Sequence, residues 1–236
     1  MIILAINFSG NVGKSTLCQQ LLMPRLNNAT LIPIESINSD GTSDDNIRGR
    51  SFDILMERML LSENAIIDVG ASNVEEFINQ VKLHHGSHEE FDHIIVPTVP
   101  DQKQQIDTWQ TVKQLNEIGF KPEKIKIIFN KLDSYSSIDK AFNYLFVQHS
   151  RANICQLNTN WIVYENELFS KMQSSGLLIS DLAKDETNYK SLIVNSEDQE
   201  EKIRLIKKLG DQRLSVGVNQ SFGKLFDDLE LIAKDL

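Results

Sequence analysis

Two glycines, a lysine and three hydroxyls stand close together in the stretch NFSGNVGKST, Asn7 to Thr16, directly after the apolar run MIILAI. These residue types at this spacing suit the binding of phosphate. A strand that turns sharply into a helix aims several backbone N–H groups at one point, and the helix dipole adds positive character there. Gly10 and Gly13 permit the turn and the close approach of a phosphate, with Asn11, Val12 and Thr16 completing the cradle. Lys14 would reach the β- and γ-phosphates, and the Ser15 hydroxyl would ligate Mg²⁺. The common loop reads G-x-x-x-x-G-K-S/T, and counting back from Lys14 puts Phe8 where its first glycine should be.

Two further polar positions close apolar runs. AIID ends in Asp68, which an apolar strand would deliver to the ligand edge of a sheet as the second Mg²⁺ ligand; a capping aspartate is the alternative. Gly70, two residues on, would let that loop respond to a γ-phosphate. FNKLD places Asn130, Lys131 and Asp133 in the pattern of a guanine-reading loop, in which a carboxylate accepts from the guanine N1 and N2 protons. The pattern is short. Adenine, with Asn130 still near the base, stands beside guanine as the larger share of the expectation.

The elements that must position these groups follow from hydrophobic periodicity. Strands are expected at 2–7, 30–35, 64–70, 91–99, 125–130 and 161–164. Helices are expected at 15–26, 51–61, 72–85, 108–119 and 138–150, where apolar residues recur three and four apart. Alternating strands and helices predict an α/β fold, a mostly parallel twisted sheet with helices on both faces, and ligands bind such sheets beyond the carboxyl ends of the strands. The expected organisation is one domain over 1–236, with 170–236 as a mainly helical extension packed on it.

Composition narrows the class. The 236 residues carry a net charge of −9, which argues against broad coating of duplex DNA, because such binding rests on a basic surface. Two cysteines, Cys18 and Cys155, make no disulfide framework and read as small core residues, so a reducing cytoplasm is the expected compartment. No signal peptide is visible, and no apolar stretch approaches the ~18 residues of a membrane span.

Three features invite other readings. His84, His85, His88 and His93 cluster without a cysteine nearby, and read as a polar connection rather than a zinc site. Phe222, Leu225, Phe226, Leu229 and Ile232 share a helical face. Asp227, Asp228, Glu230 and Asp235 outnumber the lysines there, so packing on the domain or a partner is expected rather than a membrane. Lys202, Arg204, Lys207 and Lys208 follow four acids, and internal ion pairing outweighs a DNA-contacting stripe.

With the three polar elements in this chain order, the sequence resembles the ParA/MinD superfamily of deviant Walker-type P-loop ATPases. INFSGNVGKST, IPIESIN, DNIRGRSF, IIDVGASNVEEF, GSHEEFDHIIVP and IIFNKLD carry the resemblance through about residue 170, and the longer string is similar to plasmid stability proteins. Aligned on Gly13-Lys14, the superfamily's signature lysine falls at Ser9 and its second glycine at Asn11, so the loop is organised like the deviant form. The resemblance implies ATP (with GTP as the alternative) and Mg²⁺ as cofactors and a nucleotide-dependent homodimer. It also implies a DNA-binding plasmid stability partner and a role in plasmid partition or conjugative transfer. It implies an acid after the second strand that orients water: Glu35 is favoured over Asn38 and Asp40. Without the lysine at Ser9, either another basic group, Arg48 or Arg50, substitutes or the dimer is weak, and solvated loop arginines are the equal alternative. Hydrolysis would be slow or partner-stimulated. A binding module that hardly hydrolyses its nucleotide is the second reading, and a small-molecule ligase or kinase the third.

Overall fold

A strand covered on both faces needs apolar side chains on both, and β1 (Ile2–Ala5) has only such residues, all buried. It therefore lies inside the sheet of the computed structural model, which describes residues 1–34 and 45–232, the side chains of 45–50 and 174 excepted. Helix α1 (Lys14–Leu17) follows the glycine loop and runs on as a π-helical turn, Cys18–Leu22, and a 3₁₀ turn, Met23–Arg25. A single helix over 15–26 was the expectation; Pro24, which has no N–H to donate, sits in the closing 3₁₀ turn.

The chain continues through β2 (Ala29–Ile34), α2 (Asp45–Leu60), β3 (Asn64–Val69), α3 (Val74–Leu83) and β4 (His93–Thr98). Helix α4 (Gln102–Ile118) starts six residues before the apolar periodicity does, because Asp101 caps it by accepting from the Gln104 N–H at 3.2 Å. Then come β5 (Ile125–Leu132), α5 (Ile138–Ala141), α6 (Asn143–Arg151) and β6 (Gln156–Tyr164). The helix expected over 138–150 is broken at Phe142. The C-terminal part is helical: α7 (Glu167–Ser175), α8 (Ile179–Ala183), α9 (Tyr189–Asn195) and the 30-residue α10 (Gln199–Asp228).

The six strands are parallel, in the order β2-β3-β1-β4-β5-β6. From β1 the chain goes first to β2 and β3 on one side and then to β4, β5 and β6 on the other. The reversal puts a crevice at the carboxyl end of β1, where doubly wound sheets take ligands.

Strand alternation divides the core in two. Ile2, Leu4 and Ile6 join Phe52, Phe77, Trp109 and Leu145 of α2, α3, α4 and α6. Ile3 and Ala5 join Leu17, Cys18 and Leu21, together with α7, α8 and α10. Phe222, Leu225, Phe226 and Leu229 are buried in this second core, so the apolar face read from the sequence packs on the sheet; Ile232 is exposed.

Candidate nucleotide site

The side-chain period of two decides which way the acid and the amide at the strand ends point. In β3, Ile67 and Val69 enter the core beneath α2 and α3, while Ile66 enters the α1 core; Asp68 therefore turns toward α1. In β5, Ile127 and Phe129 go to the first core and Ile128 to the second, which sends Asn130 toward α1 as well. Asp68 stands in register with Ala5, the last residue of β1.

The loop between β1 and α1 is held by side chains from other elements. Asn7, fully buried, donates to Pro97 O and Thr108 Oγ1, both at 2.8 Å, and accepts from the Ser9 N–H at 2.8 Å. Asn130 Nδ2 donates to Val12 O at 2.8 Å, and Lys131 Nζ donates to Asn11 O at 2.9 Å. Gly13 adopts φ +89°, and a Cβ there would collide with the Asn130 amide, so only glycine fits at this turn. Asn11 takes φ +58°, a left-handed conformation that asparagine tolerates better than most residues, at the position where the resemblance implies a second glycine.

Lys14 is buried at the foot of the loop and donates to Ser9 O at 2.9 Å and Asn7 O at 3.1 Å. Burial pushes its amine below the usual lysine value, and the Asp68 carboxylate pulls it back up. Asp68 is itself buried. A desolvated cation among neutral carbonyls is poised to exchange them for charged phosphate oxygens, which make stronger hydrogen bonds. Ser15 and Asp68 are oxygen donors of the kind Mg²⁺ takes alongside phosphate oxygens, so the residues present fit that ion.

A cleft of about 320 Å³ opens over this loop. Gly10, Asn11 and Gly13 to Leu17 form one wall; Gly70, Ala71, Asn130 and Lys131 come from the ends of β3 and β5. Val163 of β6 and Phe169, Ser170 and Gln173 of α7 complete the lining. The cleft thus gathers Gly10, Asn11, Gly13 to Thr16 and Asn130 of the residues that the sequence singles out, whereas Asp68 is buried and outside its lining. Val12 contributes a carbonyl to Asn130 and a side chain to the core. Asp133 is exposed and outside the cleft lining; its Oδ1 accepts from the Tyr135 N–H at 2.7 Å, closing a turn. Glu35, Asn38 and Asp40 lie outside the described residues, as do the side chains of Arg48 and Arg50 on α2. Ser9, at the signature-lysine position, donates from Oγ to Asp107 Oδ2 at 3.1 Å.

The contribution of α7 was not legible as a motif: Phe169, Ser170 and Gln173 lie on an ordinary amphipathic helix, and the parallel pairing of β6 with β5 brings that helix to the cleft. The role of Lys131 was partly visible, since it stands inside the NKLD string. The histidines go to separate tasks. His84 packs its ring 4.6 Å from Phe52, His88 lies against Phe120, and His93 Nε2 is 2.9 Å from Leu231 O. Among the described residues no group of three or more His, Cys, Asp or Glu is placed to hold a metal, and no helix is long and apolar enough to cross a membrane.

Among solved structures, an ATP complex of McdA from Cyanothece is similar over 100% of this chain and 98% of its own, with a TM-score of 0.57 at 14% identity. The apo form of McdA matches over 92% of this chain and 99% of its own, at a TM-score of 0.52 and 14% identity. The fold is that of the ParA/MinD P-loop proteins. The MinD cell division protein of Aquifex aeolicus matches over 92% of this chain and 96% of its own, at a TM-score of 0.50 and 12% identity. At such identities the likeness is one of fold. No family model matches the chain, and no curated protein matches it. Within the ParA/MinD fold, the loop from Gly10 to Thr16 occupies the strand-to-helix turn at the switch of strand order.

Proposed function

We propose that the chain is a Mg²⁺-dependent, nucleotide-binding ATPase of the ParA/MinD kind, with ATP as the favoured nucleotide. The observation that carries this is Lys14: a buried ammonium, beside Asp68, at the foot of a glycine turn that opens into a cleft. Lys14 and the loop amides would hold the phosphates, and Ser15 and Asp68 would hold the ion. Mg²⁺, when bound, supplies neutralisation of the phosphate charge. Glu35 would orient the attacking water.

The resemblance to the plasmid stability protein StbB supports a cytoplasmic role in plasmid stability or partition, extending to conjugative transfer, with a DNA-binding partner protein. Nucleotide state would change the loops after β2 and β3 and with them the affinity for that partner or for a second copy of the chain.

A second reading, a nucleotide-regulated binding module with little hydrolysis, is favoured by Ser9. A serine tied to Asp107 supplies no positive charge to a partner's phosphates, so a sandwich dimer would need Arg48 or Arg50 in its place. Guanine reading by Asn130-Lys131-Leu132-Asp133 has less support, because Asp133 faces solvent.

The test is a calorimetric titration of ATP and GTP, each with Mg²⁺, into wild type and Lys14→Ala. Micromolar binding by the wild type and its loss in the variant are expected; no binding by the wild type would sink the proposal. Single-turnover hydrolysis, with and without DNA and a partner, then separates the ATPase from the binding module.

A further inference from the structure

We infer that the base of the bound nucleotide is read from α7, by the Gln173 amide with the Ser170 hydroxyl beside it, and not by the NKLD string. This rests on the nucleotide reading above.

The groups that a sequence motif would nominate are already engaged. Asn130 donates from Nδ2 to Val12 O at 2.8 Å and accepts at Oδ1 from the Lys131 N–H at 2.9 Å. Lys131 donates one ammonium proton to Asn11 O at 2.9 Å, and an ammonium has no acceptor for a base edge's donors. Asp133 is turned into solvent and closes its own turn. Asn130 and Lys131 thus act as struts that hold the arc of the phosphate loop.

With the phosphates fixed at Lys14, the lining that remains for the base, besides the loop and strand ends, is Val163, Phe169, Ser170 and Gln173. Val163 and Phe169 supply apolar walls suited to the faces of a flat ring. Ser170 and Gln173 are three apart and so share a face of α7. Neither side chain makes a hydrogen bond among the described residues, and both are exposed to the cleft. The helix beneath them is firmly seated: Asn166 caps it by accepting from the Leu168 N–H at 2.9 Å, and Leu168 and Met172 are buried.

A carboxamide carries one acceptor and one two-proton donor. Adenine offers N1 as acceptor and N6 as donor; guanine offers O6 as acceptor and N1 as donor. Gln173 matches either edge by a half-turn of its amide, so discrimination between the two purines is small. A carboxylate only accepts. It suits the N1 and N2 protons of guanine and opposes N1 of adenine, by the same logic that pairs acids with donor edges in nucleic-acid recognition.

The experiment titrates ATP, GTP and inorganic triphosphate, each with Mg²⁺, into full-length wild type, Gln173→Ala, Gln173→Glu, Asp133→Ala and Lys14→Ala. Circular dichroism confirms that each variant is folded. The wild type should bind ATP and GTP within about tenfold of one another. Gln173→Ala should weaken both by roughly tenfold and leave triphosphate unchanged. Gln173→Glu should move the ATP-to-GTP ratio toward GTP by roughly tenfold or more, the range of one bidentate base contact. Asp133→Ala should change nothing. If Lys14→Ala abolishes binding but the ratio ignores Gln173, or moves with Asp133, the base assignment is overturned and the nucleotide reading stands. If the wild type binds no nucleotide, both fall.

Discussion

On one face of the sheet the strands meet α2, α3, α4 and α6 through an aromatic chain: Phe52 and Phe77 are 6.2 Å apart, Phe77 and Phe91 6.1 Å, Phe91 and Phe120 5.8 Å. On the other face the same strands meet α1, α7, α8 and α10, and there the packing is interrupted by charge. The buried charged side chains among the described residues, Lys14, Asp68 and Lys126, all lie on this second face. Charge is costly to bury without compensation, so one face is built to hold the fold, while the other carries buried charge at some expense to stability, as the proposed nucleotide site requires. The irregular helix after the phosphate loop fits this division: α2 to α4 are regular, whereas α1 passes through a π turn, a form common at functional sites.

The comparison is broken most severely on the aromatic face. Phe77→Ala removes a fully buried ring with two aromatic neighbours and should cost about 4 kcal/mol of stability, the usual range for such a cavity. Denaturant unfolding measures it. Nucleotide affinity of the variant, taken at low temperature where it remains folded, should stay within about twofold of wild type. A large loss of affinity would mean that the faces are not separable.

Lys14→Ala is the converse. It should lower ATP affinity by about a hundredfold, the size of a lost charge-assisted contact to phosphate in a desolvated site. Its melting temperature should move by only a few degrees, because the amine is already penalised by burial. Equal losses of affinity and stability would make Lys14 a structural cation and undo its assignment to phosphate.

How much of this division could be read in advance follows from the range of the interactions. The glycine loop is local: Gly10, Gly13, Lys14 and Ser15 line one cleft across a single turn, so their spacing in sequence is their spacing in space. The strand ends were legible for a similar reason, since the run AIID fixes both the strand and the direction of Asp68 by alternation. In NKLD the first three residues are inside β5, which continues to Leu132, two residues beyond the strand expected to end at Asn130, and Asp133 follows it. Strand pairing with β6 holds Asn130 and Leu132, and Asp133 is carried out of the cleft. What the sequence could not display was α7. Its contribution depends on which strand β6 lies beside, a matter of topology rather than of pattern.

Gln20 tests whether the two functional parts of the α1 face are mechanically joined. It lies in the π turn, buried, donating from Nε2 to Leu177 O at 3.0 Å and accepting at Oε1 from the Ile179 N–H at 2.8 Å. Gln20→Leu keeps most of the volume and leaves both backbone groups unpaired, at a cost of about 2 kcal/mol. Hydrogen exchange should show faster exchange in α8 and the part of α10 that packs on it, with the aromatic face unchanged. Exchange that rises on both faces alike would argue for a single cooperative unit and against the division.

The smallest expected effect lies where the faces meet at the far end of the sheet. His93 opens β4, and its Nε2 is 2.9 Å from the carbonyl of Leu231, close behind α10. Burial lowers its pKa from the usual 6.5, with Lys126 and Lys124 adding to the depression, while the Leu231 carbonyl and Asp92 oppose it. Above pH 6.5 the imidazole is neutral in the folded and unfolded chain, and the contribution is at its most favourable. As pH falls from 6.5 toward the lowered folded value, the unfolded chain takes up the proton first, and stability declines until both forms are protonated. The substitution His93→Gln retains an N–H for Leu231 O and cannot titrate. Melting curves between about pH 7.5 and about pH 5 should therefore fall less steeply for this variant than for wild type. Parallel curves would show that the His93 imidazole is not the source of the acid sensitivity, and the assignment to the contact with Leu231 would fall.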